Sequence, residues 1–437
     1  MGTLQAVTGM NDVLPGGGDT RRWLRLEAAF RDVCARYGYA EVRTPVCEYA
    51  ELFHRGVGEA TDIVEKEMYT FEDRGGRRLS LRPEGTASAV RAAIEHAALA
   101  QQPVVRWSYL GPMFRAEKPA KGRYRQFHQV GAEVYGDPSP AADAECIDLA
   151  ATFIRSLGIG PISVRLNSLG GPDTRRRYRD ALVAHFTPVA DRLSGESRAR
   201  LQRNPLRILD SKDPRDLPHK SAAPSILDAL DDDDRAHFEQ VKQFLAATGV
   251  PFTVDPALVR GLDYYTRTVF EVVDGSGSLG AQDSLGAGGR YDALFTELGS
   301  AQPVPAFGFA LGVERLLLAA ADVPEPPRFN VSVVAAAKAG DTPVLASALE
   351  LAKTLREAGV ETLVDTRFVS MKSQMRRASD AGSRYALILG GDEVAKAEVT
   401  LKDLSSGEQS RLPRAEAVAR LAAESSAQGS AQGSAPK

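Results

Sequence analysis

The stretch PEPPRF at 324–329 does most to constrain this chain. Prolines this dense fix φ and remove backbone donors, so neither a helix nor a central strand runs through them. The stretch reads as a stiff linker that divides 437 residues into a longer body and a shorter one. After it, NVSVVAAA, ALELAKTLREAG, VETLVD, MKSQMRRASDAG, YALILGG and AEVTLKDL alternate apolar strands with amphipathic helices. That alternation predicts a small α/β domain with a largely parallel sheet. The closing SSAQGSAQGSAPK has too little apolar content to fold, so 425–437 is expected to be a disordered tail.

The longer body reads differently. Asp19 and Thr20 are placed to cap a helix whose Trp23, Leu26, Phe30 and Val33 follow helical spacing up to Gly38. AEVRTPVCEY reads as a strand broken by Pro45, which argues for a sheet edge or a crossing between chains. MYTFEDRGGRRLSLRPEG predicts a hairpin turning at Gly75-Gly76, and EGTASAVRAAIEHAAL a helix. PVVRWSYLGPMFRAE and RQFHQVGAEVYG predict strands on either side of a basic loop. From about 171 to 249 the text is charged and helical in composition; its DDDD run at 231–234 is read as a solvated face or loop.

Composition narrows the function. Lys+Arg number 54 against 57 Asp+Glu, a net charge of -3, so any contact with nucleic acid must come from local basic patches. Cys34, Cys47 and Cys146 lie far apart without CxxC spacing, which argues against a disulfide framework or a zinc site and for a reducing compartment. No apolar run approaches the ~20 residues a membrane helix needs, and the N-terminus has no signal-peptide pattern. A cytoplasmic location without membrane contact is expected.

Familiar nucleotide and hydrolase motifs fail. GSGSLG at 275–280 matches GxGxxG and follows a strand, but AQDSLGAGGRYD after it is extended rather than helical, so a hairpin turn is expected. No Walker loop, HExxH or GxSxG is present, and the 6 histidines give no ligand pair on a helix face. What remains is strand-borne polar residues. RPEGTAS puts Arg82, Glu84 and Thr86 at a strand-to-helix junction, where free helix N–H groups suit an anion. Gln129 and Glu133 share one strand face with Phe127 and Gly131. Arg115 and Arg125 flank a loop with Lys118, Lys121 and Arg123, and LVRGLDYYTRTVFEV sets Arg260, Asp263, Tyr264 and Tyr265 against a strand. Each alone is more often a surface ion pair or packed ring than a catalyst. Together, Arg115, Arg260 and Arg315 without a nucleophile suit the neutralisation of a polyphosphate.

At this point the sequence resembles the class II aminoacyl-tRNA synthetases, and among them the histidyl-tRNA synthetases. YAEVRTPVCE is similar to motif 1, YLGPMFRAEKPAKGRYRQFHQVGAEVYG to motif 2 and AFGFALGVERLLL to motif 3. LVRGLDYYTRTVFEV and GAGGRYDALF are similar to the two histidine-specific signatures. The resemblance implies an α+β catalytic domain, an antiparallel sheet flanked by helices, over 1–325 with a helical insertion at about 171–250. It implies a C-terminal α/β anticodon-binding domain over 326–424.

The resemblance also implies a histidine–tRNA ligase that activates L-histidine with ATP and passes it to tRNA(His), working as a homodimer. Arg115, Arg260 and Arg315 would be catalytic and hold the ATP phosphates. Glu84, Gly85, Thr86 and Gln129 would hold the α-amino side of histidine. Glu133 and Tyr265 would bond the imidazole nitrogens, with Tyr264 and Tyr291 completing the pocket. Hydrogen bonds to both ring nitrogens discriminate by roughly 10⁴ or more against apolar analogues, which makes editing unnecessary. Lys118, Lys121 and Arg123 would meet the tRNA acceptor end, and Arg367, Lys372, Arg376 and Arg377 the anticodon. Mg2+ is expected on the ATP phosphates, with no tightly held protein-ligated metal. The alternative is a non-catalytic regulatory subunit of a phosphoribosyltransferase in histidine biosynthesis.

Overall fold

The computed structural model describes residues 3–15, 19–58, 61–259, 262, 264–277, 279–280, 283–320, 330–337, 342–367 and 369–433. Arg260, Asp263, Phe368 and the PEPPRF linker lie outside them. Two compact units result, Met1–Ala321 and Asp322–Lys437.

In the larger unit, β1 (Ala40–Glu41), β5 (Val105–Phe114), β6 (Gln126–Tyr135), β7 (Ile162–Ser168), β8 (Phe252–Val254), β9 (Thr266–Asp274), β10 (Ser284–Arg290) and β11 (Ala306–Gly312) form one sheet in the order β1-β5-β6-β11-β10-β9-β7-β8. All neighbours run antiparallel except the outer pairs β1/β5 and β7/β8. A smaller sheet, β2-β4-β3, is built from β2 (Cys47–Tyr49), β3 (Tyr69–Glu72) and β4 (Arg78–Leu81).

Strand alternation divides the large sheet into two faces. Val130, Ala132 and Val134 of β6 turn to one side and pack with Phe307, Phe309 and Leu311 of β11. Three helices cover that side: Asp19–Arg36 through Leu26, Phe30 and Val33, Pro140–Ser156 through Ile147 and Phe153, and Asp232–Thr248 through Phe238 and Val241. The other face carries the polar alternates and is bordered by the helix Thr86–Glu95 and the helices of 172–228.

Proline explains the break in the motif 1 strand. The stretch from 42 to 46 joins neither sheet, so β1 sits at an edge of the large sheet while β2 enters the small one. The sequence reading passes over β7 and the helix Pro140–Ser156. The described residues of GSGSLG, 275–277 and 279–280, fall in the β9–β10 connection, between paired antiparallel strands, as a hairpin.

In the smaller unit, β12 (Asn330–Ala335), β13 (Glu361–Val364), β14 (Tyr385–Leu389), β15 (Glu398–Asp403) and β16 (Gln409–Pro413) run in the order β13-β12-β14-β15-β16. Only β13, β12 and β14 are parallel. The expected parallel run ends there because 390–397 is too short for a crossover, so β15 returns beside β14 and pairs on with β16. The last helix runs Arg414–Gly433, into the stretch expected to be disordered. Alanine and glutamine favour helix there, and the AQGS repeat does not interrupt it before Gly433. Among the described residues no helix is long and apolar enough to cross a membrane.

Candidate active site

A cavity of about 360 Å³ opens on the polar face of the large sheet. Its floor is small by necessity. Directly opposite Gln129, Gly131 and Glu133 of β6 stand Gly312, Ala310 and Gly308 of β11. A Cβ on Gly308 would run into the Glu133 carboxylate, and one on Gly289 would come within 2.9 Å of the Tyr265 ring. Gly288 and Gly289 on β10 leave room for the Phe270 ring of β9 and the Tyr265 ring just before that strand.

One wall is rich in acceptors. Glu84 is buried, and its carboxylate takes the N–H groups of Thr86 and Ala87 at 2.7 and 2.8 Å. This corrects the expectation of an anion site at the junction: the helix N-terminus is already occupied by the chain's own carboxylate. Arg82 plays no part in anion binding either, since it donates to the Pro112 and Thr44 carbonyls at 2.9 and 3.0 Å and ties the chain segments together. Burial lifts the Glu84 carboxyl above its ordinary value against those backbone donors and Arg115. Gly85 has no space for a side chain, because a Cβ would meet the Tyr109 ring. Gln129 also lines the cavity, with its Oε1 buried and without a hydrogen-bond partner among the described residues.

Glu133 lies one layer deeper. It is fully buried and accepts from the Thr86 hydroxyl at 2.8 Å, the Tyr109 hydroxyl at 3.3 Å and the Tyr291 hydroxyl. Burial, opposed by those hydroxyls and reinforced by Glu84, pushes its carboxyl up to about 8. Tyr264 and Tyr265 line the cavity with ring centroids 4.7 Å apart, and Tyr291 stands edge-on to Tyr264 at 5.5 Å.

The other wall is cationic. Arg115 donates Nε to the Pro83 carbonyl at 2.9 Å and lies over the Phe127 ring at 5.1 Å. Arg315, in the first turn of the helix Val313–Ala319, reaches the same cavity. Burial lowers the pKa of both, and Arg123 adds to the effect on Arg315. Arg123 is itself a lining residue paired with Glu117 at 3.6 Å, whereas Lys118 and Lys121 are exposed and away from the lining. Glu314 spans two elements, accepting from the His128 N–H at 2.9 Å while lying 3.1 Å from His128 Nδ1.

Comparisons with known proteins place the chain in a family. The pattern described as histidyl-tRNA synthetase matches residues 9–316, and that described as an anticodon binding domain matches 331–424. The chain is 52% identical over 421 residues to a protein named Histidine--tRNA ligase from Sorangium cellulosum, covering 96% of each. The chain belongs to the histidyl-tRNA synthetase family. A crystal structure of apo histidyl-tRNA synthetase from S. aureus is similar at 32% identity, with a TM-score of 0.80 over 96% of this chain and all of that one. A Bacillus halodurans structure titled ATP phosphoribosyltransferase regulatory subunit/histidyl-tRNA synthetase matches at 21% identity and TM-score 0.65, which shows a shared fold alone.

Several lining residues of this histidyl-tRNA synthetase family member escaped the sequence reading. Asp62, Ile63 and Glu67 come from a π-helical turn, Ile63–Glu67, and its approach. Arg207 arrives from the insertion, far along the chain from every motif. No residue pattern announces them; only the fold brings them to the cavity.

In the family's anticodon-binding domain, a cleft of about 460 Å³ lies at the ends of β12 and β13 beside the helix Met371–Asp380. Arg367 and Arg377 line it, and both pair with Asp365, at 3.1 and 2.7 Å. Lys372 and Arg376 are exposed outside the lining, with Arg376 3.7 Å from Asp380. Gln374 is buried and bonds both ways with the Ala335 backbone, at 3.0 and 2.8 Å.

Proposed function

We propose that the cavity of the larger unit activates L-histidine with ATP, giving histidyl-adenylate and pyrophosphate, and then passes histidine to the 3′ end of tRNA(His). The observation that carries this is the pairing of an acceptor wall with a cationic wall in one cavity. Glu84, Thr86 and Gln129 offer oxygen to an ammonium group, and the buried unpartnered Oε1 of Gln129 lacks only a donor. Arg115 and Arg315 face them with charge suited to phosphates.

Held between the walls, the histidine carboxylate attacks the α-phosphorus of ATP. Arg115 steadies the α-phosphate and Arg315 the γ-phosphate, so the developing negative charge meets fixed cations rather than water. Arg260 approaches the α-phosphate from the other side; its role rests on the resemblance. Mg2+ belongs to this reading as part of the nucleotide substrate. Glu133 accepts from one imidazole nitrogen as the Thr86 hydroxyl turns to the α-amino group. Tyr265 serves the other nitrogen, and Tyr264 and Tyr291 close the pocket. Exposed Lys118 and Lys121, with Arg123 at the cavity rim, meet the acceptor end through phosphate contacts. Arg367 and Arg377 at the cleft, with Lys372 and Arg376 nearby, serve the anticodon.

We also infer a cytoplasmic homodimer, supported by exposed Val46, Tyr49 and Phe71 on and beside the small sheet, at 37, 55 and 46%. The test is ATP–pyrophosphate exchange with each amino acid in turn. Exchange with histidine alone, lost in Arg260→Ala, is expected; none from folded protein that still binds histidine favours the regulatory subunit.

A further inference from the structure

The aspartate run at 231–234 does not point idly into solvent. Asp231 caps the helix Asp232–Thr248 by accepting the Asp234 N–H at 2.9 Å. Asp233 and Asp234 reach across to β9, where they accept Arg267 Nη2 and Nε at 2.6 and 3.0 Å. The second oxygen of Asp234 takes the Gly171 N–H and the Thr174 hydroxyl, each at 2.7 Å. One buried carboxylate thus joins three separate segments.

Arg267 occupies an unusual place. Its φ is 47°, in the left-handed region that residues with side chains avoid. There the β9–β10 register slips: Val269 faces Gly289, but Thr266 faces Arg290, leaving residues 267 and 268 as a bulge. The bulge is pinned by backbone bonds to Leu169 and Gly170, at 2.7 and 2.9 Å. Arg175, from the insertion's first helix, donates to the Tyr265 carbonyl at 3.0 Å. Tyr265, whose ring lies against Gly289, is two residues before the bulge and lines the cavity.

The network continues inward. Arg267 Nη1 can only donate, so His237 Nδ1, 3.5 Å away, accepts and Nε2 carries the proton toward Asp143 at 2.9 Å. Asp143 is fully buried and also pairs with Arg290, the residue before Tyr291. The segments carrying Tyr265 and Tyr291, two of the three tyrosines at the cavity, are therefore braced by charges from the insertion and the helix behind it.

We propose that Asp234, assisted by Asp233, is a positioning residue for histidine selection: its grip on Arg267 holds the bulge that aims Tyr265 at the substrate. This rests on reading Tyr265 as a histidine contact. The test is steady-state ATP–pyrophosphate exchange on the full chain, with separate KM values for histidine and ATP, in a cycle of Asp234→Asn and Tyr265→Phe. Asp234→Asn is expected to raise the histidine KM about tenfold while the ATP KM stays within about twofold. On a Tyr265→Phe background the same substitution should add less than about twofold, because its route is already cut. Full multiplication of the two effects, or equal rises in both KM values, overturns the proposal. An unchanged histidine KM in Tyr265→Phe alone removes the site reading, and the proposal with it. Should Asp234→Asn fail to fold, Asp233→Asn carries the same cycle, since that side chain is 85% exposed. Its expected rise is about threefold, and a wild-type histidine KM there counts against the clamp.

Discussion

The Thr86 hydroxyl donates to Glu133 across 2.8 Å, joining the first turn of a helix to the middle of the central sheet. Glu133 is raised from its ordinary 4.5 to about 8, so the folded chain holds this proton more tightly than the unfolded one. Stability contributed here falls as pH rises from about 4.5 and levels off above about 8. Thermal melting of the ligand-free protein should show that decline, and Glu133→Gln should flatten it. Histidine KM should fall toward pH 8 in the wild type and lose that slope in Glu133→Gln.

Gln129 gives opposite signs for stability and binding. Gln129→Leu removes a buried acceptor without a partner, so stability should hold or rise by about 1 kcal/mol. Histidine KM should increase roughly tenfold, as an ammonium donor loses its oxygen. Melting curves and exchange kinetics on one sample test both; a parallel fall in stability and affinity would sink the role given to this amide.

Gly308→Ala places a methyl against the Glu133 carboxylate. The cost should be about 1–3 kcal/mol of stability from overpacking, with a larger rise in histidine KM than in ATP KM. Denaturant titration and exchange kinetics check the two parts.

Asp216 holds the insertion together. Burial opposes its charge, but the hydroxyls of Ser197 and Ser211 and the N–H and hydroxyl of Ser194 hold its carboxyl down to about 2. That stabilisation is complete above the unfolded 3.8 and is lost as pH falls through about 2. Asp216→Asn should cost about 2–4 kcal/mol, through weakened charge-assisted bonds. Hydrogen exchange is the measurement, with the loss expected over 194–216 first.

The sequence made some of this site legible and hid the rest for physical reasons. Period-two alternation placed Gln129 and Glu133 on one face, and register with β11 explains why glycine stands opposite Glu133. The hairpin reading of GSGSLG followed from what lay beyond it. Glu84 was found but its partner was not: a free helix N-terminus looks the same in sequence whether a ligand or a nearby carboxylate fills it. The aspartate run was read as solvated because its counter-charge, Arg267, is distant along the chain. Arg207 and Asp62 reach the cavity through long-range packing, which no local spacing encodes.

The floor of Gly286, Ala287, Ala310 and Gly312 has a bearing on drug resistance. An inhibitor resting flat on these strands would touch mainly main chain, which point mutation cannot alter. Enlarging Gly286 drives a Cβ into the Ala310 carbonyl and Leu311, so that escape costs the sheet itself. Escape variants should therefore gather at the rim, among Asp62, Glu67, Glu117 and Arg207, where side chains can change without reshaping the strands.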